Sequence, residues 1–260
     1  MSYDIIIQAG QSNAQGSGFG PVDNEYVSDE RILHLTAEKE VVLNNPYITI
    51  TYKDEPFQIA PANYRESSNG PVGDFSLSFA KRYVDDGMLK DGRKLLIIRA
   101  AVGSTAFVRG NWGRSAQLNL KMHEMIKHAL SLSEESRLVA FLWHQGESDA
   151  ARGNIPEVYR MQIEDMVNQV RETYKVENLP FVAGDFVHSW KNTKLDVCVP
   201  IIEKLKEACN NLGNAAFVET DGLLSNHEKT GNKDILHFCR QSLAELGERY
   251  YEAYRSIIDG

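Results

Sequence analysis

Short apolar runs alternate along this chain with longer stretches in which apolar residues recur every three or four positions. The runs are Tyr3-Asp4-Ile5-Ile6-Ile7, Lys94–Ala100, Leu138–Trp143, Pro180–Phe186 and Ala215–Glu219. Each is nearly continuous rather than alternating, the pattern of a strand covered on both faces. Between them, the spacing predicts helices. One runs from Gly73 or Asp74 through Phe75, Leu77, Phe79, Ala80 and Tyr83, and Asp85-Asp86-Gly87 closes it. A second carries Leu118, Met122, Met125, Ile126 and Leu130, and a third, opened by Pro156, carries Ile163, Met166, Val167, Val170 and Tyr174. The last two carry Ile201, Leu205, Ala208 and Leu212, then Leu243, Leu246, Tyr250, Tyr254 and Ile257. Strands alternating with helices imply parallel crossovers. The expected fold is α/β: a three-layer α/β/α sandwich around a five-stranded, mainly parallel, doubly wound sheet.

Two stretches depart from this alternation. Residues 20–65 hold short β-prone pieces, Arg31–Leu35, Val41–Leu43 and Tyr47–Tyr52, separated by Asn-Pro and charged turns. They read as an antiparallel insert or lid beside the main sheet, too small to carry a core of its own. The polar residues 220–233 read as a loop. With no repeat, low-complexity tract or linker, residues 1–260 are expected to form one domain.

Composition narrows the range of partners. The 260 residues carry a formal net charge of -8 and no run of Lys and Arg, which argues against nucleic acid, whose binders need basic patches to displace counterions. Cys198, Cys209 and Cys239 are an odd, widely spaced set and read as reduced core thiols, not a disulfide framework or zinc site. No apolar run approaches the roughly 18 residues needed to span a bilayer. There is no signal-like leader, so a soluble, cytoplasmic protein without a membrane partner is expected.

The candidate chemistry lies just past the strands. Gln8-Ala9-Gly10-Gln11-Ser12-Asn13 follows the first, Gly103-Ser104-Thr105 the second and His144-Gln145-Gly146-Glu147-Ser148-Asp149 the third. In a doubly wound sheet these carboxyl ends open onto one crevice. Each piece has a plain structural reading when taken alone. Ser12 suits a helix cap, Gly103 a tight turn, Asp234-Ile235-Leu236-His237 a cap beside a surface histidine, and Glu147 and Asp149 solvated loop acids. Together they make another reading possible. Asp234 could orient His237, His237 could activate Ser12, and the amides of Ser12 and Gly103 with the side chain of Gln145 could receive an oxyanion. The glycines of residues 10–20 match neither Gly-x-Gly-x-x-Gly nor a Gly-Lys-Ser/Thr phosphate loop.

Gly10-Gln11-Ser12-Asn13, Gly103-Ser104-Thr105, Trp143-His144-Gln145-Gly146-Glu147-Ser148-Asp149 and Asp234-Ile235-Leu236-His237, in that order, resemble the SGNH hydrolase superfamily. Within it, the likeness is to the branch of acetylxylan esterases and sialate O-acetylesterase-like carbohydrate esterases, and it runs from residue 3 to about 255. The resemblance implies a flavodoxin-like SGNH fold and a serine esterase that hydrolyses O-acetyl esters of a small molecule or oligosaccharide, with no metal or other cofactor. It assigns Ser12 as nucleophile, His237 as base and Asp234 as its orienter. Ser12, Gly103 and Gln145 would form the oxyanion hole, and Gln11, Asn13, Glu147 and Trp112 would be supporting or substrate-binding. A general short-chain esterase or thioesterase, and a carbohydrate-binding homologue without turnover, are the alternatives. The branch commonly has two adjacent glycines after its second strand; this chain has Gly103 flanked by Val102 and Ser104.

Overall fold

A computed structural model describes residues 1–44, 47–68 and 70–260. In chain order the strands are β1 (Ser2–Gly10), β2 (Ile32–Thr36), β3 (Lys39–Asn44), β4 (Tyr47–Tyr52), β5 (Gln58–Pro61), β6 (Arg65–Ser67), β7 (Gly70–Val72), β8 (Arg93–Arg99), β9 (Arg137–His144), β10 (Phe181–Gly184) and β11 (Ala215–Val218). The helices are α1 (Ser12–Gln15), α2 (Ser76–Asp85), α3 (Gln117–Ser131), α4 (Glu147–Ala151), α5 (Pro156–Tyr174), α6 (His188–Lys191), α7 (Leu195–Leu212), α8 (Asn226–Thr230) and α9 (Arg240–Asp259).

β1 is the centre of the sheet, paired in parallel with β8 on one side and β9 on the other. Its alternation feeds two cores. Ile5, Ile7 and Ala9 pack with Met122 of α3, Ile163 of α5 and Ile201 of α7, while Ile6 packs with Phe79 of α2 and Leu243 and Tyr250 of α9. These are the three expected layers. The strand order is β11-β10-β9-β1-β8-β2-β5. The five expected strands stand in the flavodoxin-like order, and the direction of winding switches between β1 and β9, where such folds place their ligands.

The sheet has seven strands, not five. β2 pairs in parallel with β8, and β5 closes that edge antiparallel to β2. Much of the 20–65 stretch therefore extends the main sheet rather than lying beside it as an insert. The β-prone piece Arg31–Leu35 corresponds to β2, but it does not read as a strand of the main sheet, because its apolar anchors, Ile32 and Leu35, stand among half-buried Leu33, His34 and Thr36 and make no continuous apolar run. The β3–β4 hairpin does form a separate two-stranded unit, as does β6–β7. The 220–233 loop also needs correction, since it contains α8, closed at its start by reciprocal Ser225 and Glu228 bonds. All three cysteines are free and buried. No helix among the described residues is long and apolar enough to cross a membrane.

Candidate active site

The end of β1 is fixed by close contact. Gly10 has φ 129°, and a Cβ there would overlap the carbonyl oxygen of His144 at the end of β9, so glycine alone lets the strand ends meet. The next amide, Gln11 N–H, donates to that carbonyl at 3.0 Å. Gln11 occupies the capping position of α1, and Ser12 is its first helical residue. The cap reading of Ser12 therefore fails; its side chain turns elsewhere.

Ser12 Oγ lies 2.8 Å from Nε2 of His237, and Nδ1 of His237 lies 2.8 Å from Oδ2 of Asp234. The three-residue spacing works as a clasp, because Oδ1 of Asp234 accepts the N–H groups of Leu236 at 3.1 Å and His237 at 3.2 Å. Burial opposes ionisation of Asp234, but hydrogen bonds from His237 and Asn226 outweigh it and hold its pKa at about 2. An ionised carboxylate only accepts, so Nδ1 carries the imidazole proton and Nε2 offers its lone pair to the Ser12 hydroxyl. Ser12 and His237 are both half-buried, so solvent reaches them.

Asn13, fully buried, ties this arrangement together. Its Nδ2 donates to Oε1 of Glu147 at 2.8 Å and to the Leu236 carbonyl at 3.3 Å, and its Oδ1 accepts Phe238 N–H at 3.1 Å. The serine turn, the β9 end and the histidine loop thus share one side chain. Glu147 and Asp149 are buried rather than solvated loop acids. Burial pushes the Glu147 carboxyl above its ordinary range, and its Oε2 has no protein partner. Beside it, burial draws the His144 imidazole down to about 3, so that ring is neutral at pH 7.

Of the groups expected around an oxyanion, Gly103 is close to Ser12, and both it and Gln145 are engaged. A Cβ on Gly103 would lie 3.6 Å from that of Ser12. Gly103 N–H, however, donates to Oε1 of Gln15 at 2.7 Å. Gln145 is fully buried, and its Nε2 lies 2.5 Å from Oδ2 of Asp149, with longer contacts of 3.4 Å to Gln11 Oε1 and the Thr105 carbonyl. One amide hydrogen is committed to Asp149, and the other makes only long contacts. Gln11 Oε1 also accepts Ser148 N–H at 3.1 Å, a supporting position. Trp112 is fully buried, donates Nε1–H to Thr105 Oγ1 at 2.9 Å and packs edge-on against Trp143. It offers no surface to a substrate.

Sequence reasoning missed three contributors. Asn226, at the start of α8, donates to Asp234 Oδ2 at 2.9 Å. The Ser225-x-x-Glu228 capping pattern could have revealed that helix. Asp149 accepts Phe107 and Val108 N–H at 3.0 and 2.9 Å, anchoring the loop after β8. Gln15 had no readable signal. A cavity of 470 Å³ between residues 24–27, α2 and α9 includes none of Ser12, Asp234 and His237 in its lining.

A hydroxyl in line with an imidazole and a carboxylate, at the switch point of a parallel sheet, places the protein among the SGNH-type α/β hydrolases. More narrowly, the family model described as carbohydrate esterase, sialic acid-specific acetylesterase, matches residues 2–256, and the chain belongs to that family. It is thereby a carboxylic ester hydrolase of the carbohydrate esterase kind. A probable carbohydrate esterase of Arabidopsis thaliana, At4g34215, is 22% identical over 97% of this chain and 90% of its own. Among solved structures, NanS superposes with TM-score 0.79 at 19% identity, covering 99% of this chain and 98% of NanS. XAC1771, a carbohydrate acetylesterase from Xanthomonas citri, superposes with TM-score 0.64 at 18% identity, covering 98% of this chain and 56% of that one. At these identities the solved structures speak for the fold.

Proposed function

We propose that the protein is a serine esterase that removes O-acetyl groups from carbohydrates through an acetyl-enzyme, with Ser12 as nucleophile. The observation that carries this reading is the continuous hydrogen-bonded line from Ser12 Oγ through His237 to Asp234. As Oγ attacks the acetyl carbon, its proton passes to Nε2 of His237, and Asp234 stabilises the imidazolium without taking the proton. The carbonyl oxygen becomes an oxyanion, received by the N–H groups of Ser12 and Gly103 and the less committed hydrogen of Gln145. Each such donor is worth roughly two to three orders of magnitude in kcat. The imidazolium then protonates the departing sugar oxygen. Water, activated by the same histidine, releases acetate and restores Ser12. For Gly103 N–H to serve, Gln15 must release it first.

A fluorophosphonate should label Ser12 in the folded protein, and acetate should appear from acetylated sugars. Ser12→Ala and His237→Ala should each remove most of kcat, and the double variant should lose little more, because the residues act as a unit. Additive losses would contradict the assignment. Faster turnover of an octanoyl than an acetyl nitrophenyl ester would move the protein to the general esterases. Absence of labelling would favour a carbohydrate-binding homologue without turnover.

A further inference from the structure

The Gly103 amide, which an oxyanion needs, is covered by the protein's own Gln15. This is the last residue of α1, and its backbone N–H donates to the Gln11 carbonyl at 2.7 Å, so the serine turn closes without help from the Gln15 side chain. That side chain is half-buried and reaches Gly103, whose N–H donates to its Oε1 at 2.7 Å. A Cβ placed on Gly103 would meet Gln15 Oε1 at 3.2 Å and Ser12 Cβ at 3.6 Å, so both flank the same side of this glycine. A carbonyl oxygen therefore sits on the amide beside the serine, as the carbonyl of a bound ester would. The side chain also has somewhere to withdraw. Gln15 lines a cavity of 240 Å³ together with His34, Arg65 and Arg99. Asp74 accepts Arg99 Nη2 at 2.6 Å and the Gly16 carbonyl accepts Arg65 Nη2 at 2.7 Å, but Nε of each arginine is buried without a partner among the described residues. Buried donors left in this state are costly. A glutamine carbonyl that leaves Gly103 can accept from them, so the bond given up at the amide is replaced in the cavity. The two positions of one neutral side chain then differ little in free energy, and a ligand that takes the amide can shift it from one to the other.

We propose that Gln15 is a movable mask on the oxyanion amide: its carbonyl occupies Gly103 N–H in the resting enzyme, gives way to the acyl oxygen of the ester, and returns to expel acetate once the ester is cleaved. The inference rests on the esterase reading, so its test has one arm without turnover. Apparent affinity falls by the fraction of protein that is unmasked, so the mask weakens the binding of substrate and product alike. It costs little in the transition state, where the oxygen carries charge and outcompetes a neutral amide for the N–H. Gln15 therefore acts on KM and on the affinity for acetate rather than on kcat.

Gln15→Met keeps the length of the side chain and removes its carbonyl, while Gln15→Ala removes everything beyond Cβ. On an aryl acetate, either change should raise kcat/KM about two- to tenfold through a lower KM, the range that one net hydrogen bond between neutral groups is worth. The inhibition constant of acetate should fall by the same factor. A glutamine that merely props the serine turn would give the opposite, a lower kcat in both variants. In the second arm, acetate is titrated into the Ser12→Ala protein, with and without the Gln15→Met change, and the Gly103 amide resonance is followed by NMR. Acetate should move that resonance and should bind more tightly when Gln15 is Met. Tighter acetate binding in a protein whose Ser12 form cleaves no ester leaves the mask standing and removes the esterase reading alone. Acetate affinity that the Gln15→Met change does not raise, or ester turnover in an active enzyme that neither variant improves, overturns the proposal.

Discussion

Ser104 has φ 63°, in the left-handed region. An L-residue there costs roughly 1–2 kcal/mol, while glycine gives back about 0.5–1 kcal/mol as folding entropy. This is where a second glycine after Gly103 would sit without strain. Ser104→Gly is therefore expected to stabilise the protein by about 0.5–1 kcal/mol, read as a higher urea midpoint; a lower midpoint would mean that the hydroxyl makes a contact worth more than the strain. Asn226 acts on the site through another residue. Its Nδ2 shares Oδ2 of Asp234 with His237 and also donates to the Ser17 carbonyl at 2.9 Å. On the esterase reading, Asn226→Ala should lower kcat roughly tenfold, the worth of one hydrogen bond to a charged group, with little change in KM. A change confined to KM would place Asn226 in substrate binding instead.

The strands differ in how plainly they can be read, and the difference follows from how they are covered. β1, β8 and β9 lie under helices on both faces, so their apolar runs are continuous. β2 turns His34 and Thr36 into a polar cavity shared with Gln8 and Arg99, and β5 is an edge strand carrying a proline; neither shows a clean period. The site was legible where it touches the long strands. Ser12, Gly103 and Gln145 follow β1, β8 and β9, and the Asp234–His237 spacing showed the remaining pair. Gln15 and Asn226 stayed hidden because α1 and α8 have four and five residues, too few for a helical period to appear. At the opposite edge of the sheet, Asp4 ties the central strands together. Its fully buried carboxylate accepts Nε of Arg93 from β8 and Nε of Arg137 from β9, both at 2.8 Å, and the Tyr83 hydroxyl of α2 at 2.8 Å. Burial opposes its charge, but the donors, led by Arg137, prevail and lower its pKa. Asp4→Asn should cost about 2–3 kcal/mol at neutral pH, measured by chemical denaturation.

Across the molecule, Asp4 and Glu147 are buried carboxylates at opposite ends of the central strands and have opposite thermodynamic sense. Asp4 at the amino edge is paired, and its folded pKa lies below the ordinary value of 3.8. It therefore stabilises the fold above that pH, and the contribution is lost as pH falls through the depressed folded value. Glu147 at the carboxyl edge has one oxygen bonded to Asn13 and the other without a protein partner, and its folded pKa lies above 4.5. Below 4.5 it is neutral in both states and costs nothing electrostatically; as pH rises towards the folded value, the unfolded chain ionises first and the fold loses stability. Glu147→Gln keeps the oxygen that Asn13 uses and removes the charge. Nε2 of the neutral His144, 4.0 Å from Oε1, has no hydrogen-bond partner among the described residues and gains no charge from the carboxylate it faces. The substitution should leave stability unchanged near pH 4 and raise it by about 1 kcal/mol or more at pH 7 to 8. The Asp4→Asn loss should run the other way, large at pH 7 and shrinking towards pH 3. Thermal melts of both variants against the parent protein at each pH give two difference curves of opposite slope. If Glu147→Gln instead destabilises the protein at neutral pH, the Glu147 charge holds the Asn13 turn in place through a charge-assisted hydrogen bond, and an ionised carboxylate stabilises the carboxyl end of the sheet as one does the amino end.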